Sequence, residues 1–344
     1  MRFSFDGESS AVFRICYAVF ELLLALGLAI LVTLYIILQR KRGNVLNPLP
    51  FKALLASMVF YLGAEISVGV YNSIRLAGVH LKDTYPSAEP ISEGLMLIAV
   101  NLLFYIFYAT IYTFGQEIMG QSSFWPRLNR FHWVLMGIFV AISIVDFAWY
   151  VYNILGQMQY IRPKYTLQLD HYQIWSKIMS VKWILFWVGS WEILGAMIFM
   201  GMRTSSQAPH MRMSTYLTFT ASGFFFALNG LWAIWSINSY LAHIYPTQVA
   251  IAAREVVQFF FCMGTYLGLG LCAWRFPAKL NDDLEDAPVR TMIIRRSERP
   301  VEADSRTPLA VKGTSEIDRS LSVAEVAATR PILEADSNIT HEKP

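Results

Sequence analysis

The sequence predicts an all-α integral membrane protein, a bundle of seven transmembrane helices followed by a disordered C-terminal tail. Three observations predict it. Of 344 residues, 55% are hydrophobic and only 15% are charged, where soluble chains carry about 25% charge. Seven long segments are almost uninterrupted apolar sequence, and about 20 such residues cross a bilayer core. Charge is also unevenly placed: 23 of the 53 Asp, Glu, Lys and Arg residues fall in 276–344. A lipid-like body therefore precedes a water-like tail.

The first span is 12–39. Its apolar run exceeds the roughly 7–15 residues of a signal-peptide core, and no small-residue cleavage site follows, so it reads as a retained helix. Span 52–74 follows Asn47-Pro48-Leu49-Pro50, and span 94–118 follows Pro86 and Pro90. Trp125-Pro126 precedes span 131–155, and Arg162-Pro163-Lys164 precedes span 178–202. Pro209 and Pro246 introduce spans 214–238 and 250–274. All 14 prolines fall outside these spans, which predicts unbroken helices rather than the interrupted ones of many transporters.

The Lys/Arg balance of the short loops orients the bundle. Arg40-Lys41-Arg42, Arg127, Arg130, Arg203, Arg212, Arg275 and Lys279 outnumber the basic residues of the other side. The expected layout is a short extracellular N-terminus (1–11), a transmembrane domain (12–275) and a cytoplasmic tail (276–344), with the plasma membrane as location. The net charge of +3 divides into +6 before the tail and −3 within it. That is too weak for a nucleic-acid partner. Residues 281–344 contain no aromatic residue and no sustained periodicity, the composition of disorder. Arg295-Arg296-Ser297, Arg319-Ser320-Leu321-Ser322 and Thr307-Pro308 match kinase-site patterns, so a cytoplasmic regulator acting at the tail is an expected partner. Asn338-Ile339-Thr340 fits the glycosylation pattern, but on the cytoplasmic side.

Ionisable residues at bilayer depth are costly and mark function or structural pairing. Glu21, Glu65, Asp146, Lys182, Glu192, Arg254 and Glu255 lie in the spans, mostly at the midplane or in the half expected to face outside. Helical spacing collects polar groups into stripes. Arg14, Tyr17 and Glu21 form one; Glu65 and Asn72 are seven apart. Asn101, Tyr105, Tyr108, Tyr112 and Gln116 run along the third span. Ser143, Asp146, Tyr150 and Asn153 share a side of the fourth, Thr215, Thr218, Ser222, Asn229 and Ser236 of the sixth, and Glu255, Gln258, Cys262 and Thr265 of the seventh. Turned inward, these sides would line a polar cavity. Its candidate ligand-binding residues are Glu65, Asn101, Tyr105, Asp146, Glu192, Asn229 and Glu255. The bland alternative is interhelical hydrogen bonding, worth about 0.6 kcal/mol per group. Lys182 and Arg254 read as interface anchors or ion-pair partners.

Other motifs narrow the chemistry. Cys16, Cys262 and Cys272 lie inside apolar runs, so no disulfide framework is available; Cys272, at a span end, is a palmitoylation candidate. His80, His132, His171, His210, His243 and His341 are scattered and read as interfacial, which gives no clustered metal ligands. No metal or cofactor is expected. Asp282-Asp283-Leu284-Glu285-Asp286 has a magnesium-binding spacing, but reads as a solvated charged run. The last span has no lysine for a retinal Schiff base. Gly264-Thr265-Tyr266-Leu267-Gly268 permits close helix approach, and Trp125, Trp133, Tyr240 and Trp274 read as an interfacial belt.

The layout resembles seven-span fungal membrane proteins with long polar tails, among them receptor-like families and lipid-translocating exporters. The resemblance is of architecture alone. The leading expectation is a receptor-like protein sensing a small ligand through the outer-half cavity. The alternatives are a transporter or exporter of amphipathic molecules or lipids, and a membrane-embedded isomerase or terpene-cyclase-type enzyme. The expected partners are the bilayer and an unidentified small molecule.

Overall fold

A computed structural model describes residues 7–42, 50–76, 85–120, 124–158, 165–242, 244 and 246–285. Seven helices hold nearly all of them: α1 (Gly7–Arg42), α2 (Phe51–Leu76), α3 (Tyr85–Met119), α4 (Phe124–Met158), α5 (Tyr165–Gln207), α6 (Arg212–Ser236) and α7 (Gln248–Glu285). No strand occurs among the described residues. Each helix contains a segment long and apolar enough to cross a membrane. The chain is a multi-pass, all-α membrane protein.

The helices overrun the expected spans because hydropathy marks only the lipid-immersed part of a helix. α1 begins at Gly7 rather than 12. α3 takes in Pro90. α4 takes in Pro126 within its first turn, where a missing N–H costs nothing. α7 continues through Pro277 to Glu285, which moves the expected tail boundary: Asp282, Asp283 and Glu285 are helical. Residues 286–344, with the kinase-site and glycosylation patterns, lie outside the described residues, as do the side chains of Arg14, Cys16, Tyr17 and Asn72. α3 stops at Gly120, whose φ of 74° is the left-handed conformation that ends helices. α5 and α6 join through one 3-10 turn, Pro209–Met211. α6 ends in a wide π turn, Ile237–Leu241.

Each helix packs against the next and α7 returns to α1, closing a ring. α3 also touches α5, and α2 touches α7. α3 is the most enclosed helix, with 56% of its apolar segment buried; α4 is the least, with 22%. Short connections make successive helices antiparallel, so the starts of α1, α3, α5 and α7 share one face of the bundle, here called the N-terminal face. The core centres on Phe104 of α3, whose ring meets Phe139, Phe186 and Phe225 at 4.6, 5.2 and 4.8 Å. Leu26, Val134, Ile144, Trp191 and Phe260 point outward, as lipid-facing residues should.

Two seams rest on missing side chains. A Cβ at Gly268 would lie 2.9 Å from Ala221 Cβ and 3.1 Å from the Leu217 carbonyl. The glycine pair of α7 therefore serves packing against α6 within the chain. A Cβ at Gly115 would collide with Trp125, 2.3 Å away. Trp125 fills that notch and is buried, which corrects its expected place in an interfacial belt; Trp133 and Trp274 are exposed.

Candidate functional site

Among the described residues the polar stripes of α4, α6 and α7 have buried members and that of α3 is half-buried, but they do not surround one void. They form two charged clusters near the N-terminal face, a polar contact deeper in the bundle, and a separate groove.

The first cluster joins α3, α4 and α5. Lys182 of α5 is wholly buried. Its Nζ donates to Asp146 Oδ2 at 2.5 Å and to Glu93 Oε1 at 3.2 Å. The same ammonium lies 4.6 Å from the Trp183 ring centroid. Asp146 Oδ1 is buried and has no hydrogen-bond partner. Asp146 was a sequence candidate and Lys182 an expected ion-pair partner. Glu93 was missed because it precedes the apolar run, yet its signal is present: 93, 97, 101 and 105 lie on one side of a helix at four-residue spacing.

The second cluster joins α1, α2, α6 and α7. Arg254 packs against two indoles, with its guanidinium carbon 4.9 Å from the Trp232 ring and 4.4 Å from the Trp235 ring. It donates through Nε to Glu255 Oε1 at 2.9 Å. Glu65 is buried within electrostatic reach of Glu255, Glu21 and Arg254. A polar column descends from here. Gln258 Nε2 donates to Tyr61 Oη at 3.3 Å, Tyr266 Oη pairs with Ser57 Oγ at 2.8 Å, and Ser57 Oγ donates to the Ala99 carbonyl at 2.9 Å.

The clusters are not independent. Trp183 and Trp232 stack at 5.2 Å with 15° between planes. The order Asp146, Lys182, Trp183, Trp232, Arg254, Glu255 is thus an unbroken sequence of ion-pair, cation–π and stacking contacts across α4, α5, α6 and α7. Cation–π contacts strengthen when desolvated, to about 2 kcal/mol. Tryptophans carry this link, and a search for polar stripes passes over them.

Glu192 lies elsewhere. It is ten residues below Lys182 on α5, about 15 Å along the axis, beyond the Phe104 layer. His132 Nε2 meets its Oε1 at 2.9 Å. Tyr108 stacks on the His132 ring at 4.2 Å and 15°. His132 is 2% exposed, so its interfacial assignment is corrected: α4 begins at Phe124, which places His132 about two turns into the helix and not at its end. Asn229 is buried on α6 and bonds its own helix, donating to the Phe225 carbonyl at 2.9 Å. It joins no cluster. Cys272 is buried and accepts from Thr218 Oγ1 at 3.0 Å, which removes it from the accessible positions that palmitoylation needs.

Asn101 and Tyr105 line the groove, which lies between α3 and α4 with a volume of about 710 Å³. Gly94, Ile98, Val140, Ile144 and Phe147 are part of its wall. Ile98, Val140 and Ile144 are among the outward-facing apolar residues, so the groove opens sideways toward lipid. Its volume lies within the range of small-molecule sites, about 300–1,000 Å³.

Among the described residues no three His, Cys, Asp or Glu side chains are grouped to hold a metal ion. Comparison with known proteins finds no family model, no characterised protein and no solved structure that matches this chain.

Proposed function

We propose that this protein is a receptor-like sensor of a small apolar ligand that enters sideways from the bilayer, with the N-terminal face outside and the tail in the cytoplasm at the plasma membrane. One observation carries the reading. The groove is formed by α3 and α4, and the same two helices supply Glu93 and Asp146, which clamp Lys182 of α5. Glu93 precedes Gly94 of the groove wall, and Asp146 precedes Phe147. A ligand that wedges α3 from α4 changes the spacing of the two acids around one buried ammonium. Such a clamp has discrete arrangements, paired or unpaired, and this is the property a switch needs. The tryptophan pair passes the change to Arg254 on α7, the helix that leads into the tail.

The test uses the full-length chain with a proximity-labelling enzyme on its C-terminus. Cells are exposed to fractionated membrane-lipid extracts, and labelled neighbours of the tail are quantified. A fraction that changes labelling in the wild type, and fails to do so in Lys182→Met at equal membrane abundance, supports the reading. An unchanged pattern with every fraction, or equal responses in both proteins, removes it.

The sideways opening also favours a lipid-handling exporter. That reading requires fluorescent lipid to cross the bilayer of vesicles reconstituted with the chain.

A further inference from the structure

We propose that the cluster joining α1, α2 and α7 is a proton-binding site, and that Glu65 is the group that takes up and releases the proton. The site is separate from the α3–α4 groove and does not rest on the groove holding a ligand.

Among the described residues this cluster is short of one positive charge and one hydrogen-bond donor. Glu65 is 7% exposed, and Glu21 and Glu255 are buried with it. The charges that face Glu65 are those of Glu255 and Arg254 on α7 and Glu21 on α1. The guanidinium is already bonded to Glu255. Glu65 has no hydrogen bond and no ion pair among the described residues. Tyr61 on its own helix, and Cys262 and Tyr266 on α7, also lie within electrostatic reach of it, and none of them brings positive charge. α3, the other neighbour of α2, presents Ser92, whose hydroxyl donates to the Ala64 carbonyl at 3.1 Å; its nearby acid, Glu93, is turned to Lys182. Ionised carboxylates gathered at bilayer depth repel one another and are costly.

The shortage of donors points the same way. Gln258 follows Glu255 by three residues and shares its side of α7. Its Nε2 donates to Tyr61 Oη at 3.3 Å, and Tyr61 is one turn from Glu65 on α2. Its Oε1 is buried and has no hydrogen-bond partner. A proton on Glu65 meets both deficits. It removes one negative charge, and it gives the acid an O–H to donate, with Gln258 Oε1 as the unpaired acceptor of the cluster. A larger cation fits less well: these acids are not grouped to hold a metal ion, and Tyr61 and Gln258 are buried beside them. A proton needs no cavity. Glu65 stands about 16 Å from the end of α2 at the N-terminal face and about 21 Å from its start. Beneath it the buried Tyr61 and Tyr266 rings meet at 5.9 Å, so the N-terminal face is the nearer source of protons. Losing the proton sets two charged acids before one guanidinium, which draws Arg254 from the Trp232 and Trp235 rings it packs on. Trp232 in turn stacks on Trp183, beside Lys182.

The experiment is pH-difference infrared spectroscopy of the full chain in phosphatidylcholine bilayers. Between about pH 6 and about pH 9 exposed carboxyl groups, those of the tail included, stay ionised. A protonated-acid carbonyl band lost across that range therefore comes from a buried acid. The expected result is such a band in the wild type, shifted in heavy water, and reduced by one acid per chain in Glu65→Gln, which keeps the shape of the protonated acid. Gln258→Leu should move the loss to lower pH by about half a unit to one unit, the worth of one hydrogen bond; an unmoved loss removes Gln258 as the acceptor. Tryptophan emission over the same range should change in the wild type and change less in Glu65→Gln, and equal changes remove the link to Arg254. If the wild type loses no protonated-acid band, the proposal is overturned without any variant having to fold. An undiminished band in Glu65→Gln assigns the proton to another acid and overturns it equally. These readouts need no groove ligand and no response of the tail, so a failure of the receptor reading leaves them standing.

Discussion

Lys182→Met tests the buried clamp most directly. Methionine keeps the length and apolar character of the lysine stem, so the change removes mainly the charge. Asp146 is 1% exposed and holds Lys182 at 2.5 Å. Deleting one partner of a buried ion pair costs about 3–5 kcal/mol, because the other charge stays behind uncompensated. Glu93 is the weaker partner of the two: it stands at 3.2 Å and its side chain is 19% exposed, so it is less dependent on the ammonium than Asp146. Polar groups of a chain unfolded within the membrane also find partners, which pulls the value toward the lower end. The expected loss is about 3 kcal/mol, roughly a hundredfold in the folding equilibrium. Glu93→Gln should lose about 1 kcal/mol or less. The double variant Lys182→Met with Asp146→Leu removes both charges and should recover most of the loss. The assay is unfolding of the purified full chain in mixed micelles titrated with a denaturing detergent, followed by tryptophan emission. If Lys182→Met stays within about 0.5 kcal/mol of the wild type, or the double variant is no more stable than the single one, the clamp does not hold these helices together.

The remaining predictions use the same unfolding assay or simple chemistry. Gly268→Leu places carbon against Ala221 Cβ and the Leu217 carbonyl, neither of which can rotate away. It should cost about 1–3 kcal/mol by overpacking, and a neutral result would mean that α6 and α7 are further apart. His132→Ala leaves Glu192 without its 2.9 Å partner and should cost about 1–3 kcal/mol. His132→Gln can still donate and should restore much of it, so equal losses would mean that ring packing on Tyr108 dominates. Cys262 and Cys272 are buried thiols and should resist a membrane-permeant maleimide until the bundle is unfolded; rapid labelling of Cys272 in the native protein would contradict its contact with Thr218.

Some of this was legible in the residues themselves. A run of apolar side chains longer than the bilayer core admits little but a spanning helix, because lipid offers no partner for unpaired backbone. The seven helices, and the inward turn of stripes such as Glu255, Gln258 and Thr265, follow from that constraint and from the 3.6-residue period. Helix ends were less legible, since α7 outlasts its hydropathy through Pro277 and ends among Asp282, Asp283 and Glu285. Partner choice was not legible at all. Seven candidate residues spread over six helices suggest one cavity, yet packing separates them. Asp146 goes to Lys182, Glu192 to His132 beyond a layer of phenylalanines, Glu65 and Glu255 to the Arg254 cluster, Asn229 to its own backbone, and Asn101 with Tyr105 to a lipid-facing groove. The spacing of polar residues along a helix determines which side they share. Which helix they meet, and whether a tryptophan pair bridges what lies between, depends on the rotation and depth of each neighbour, and only the assembled bundle decides those.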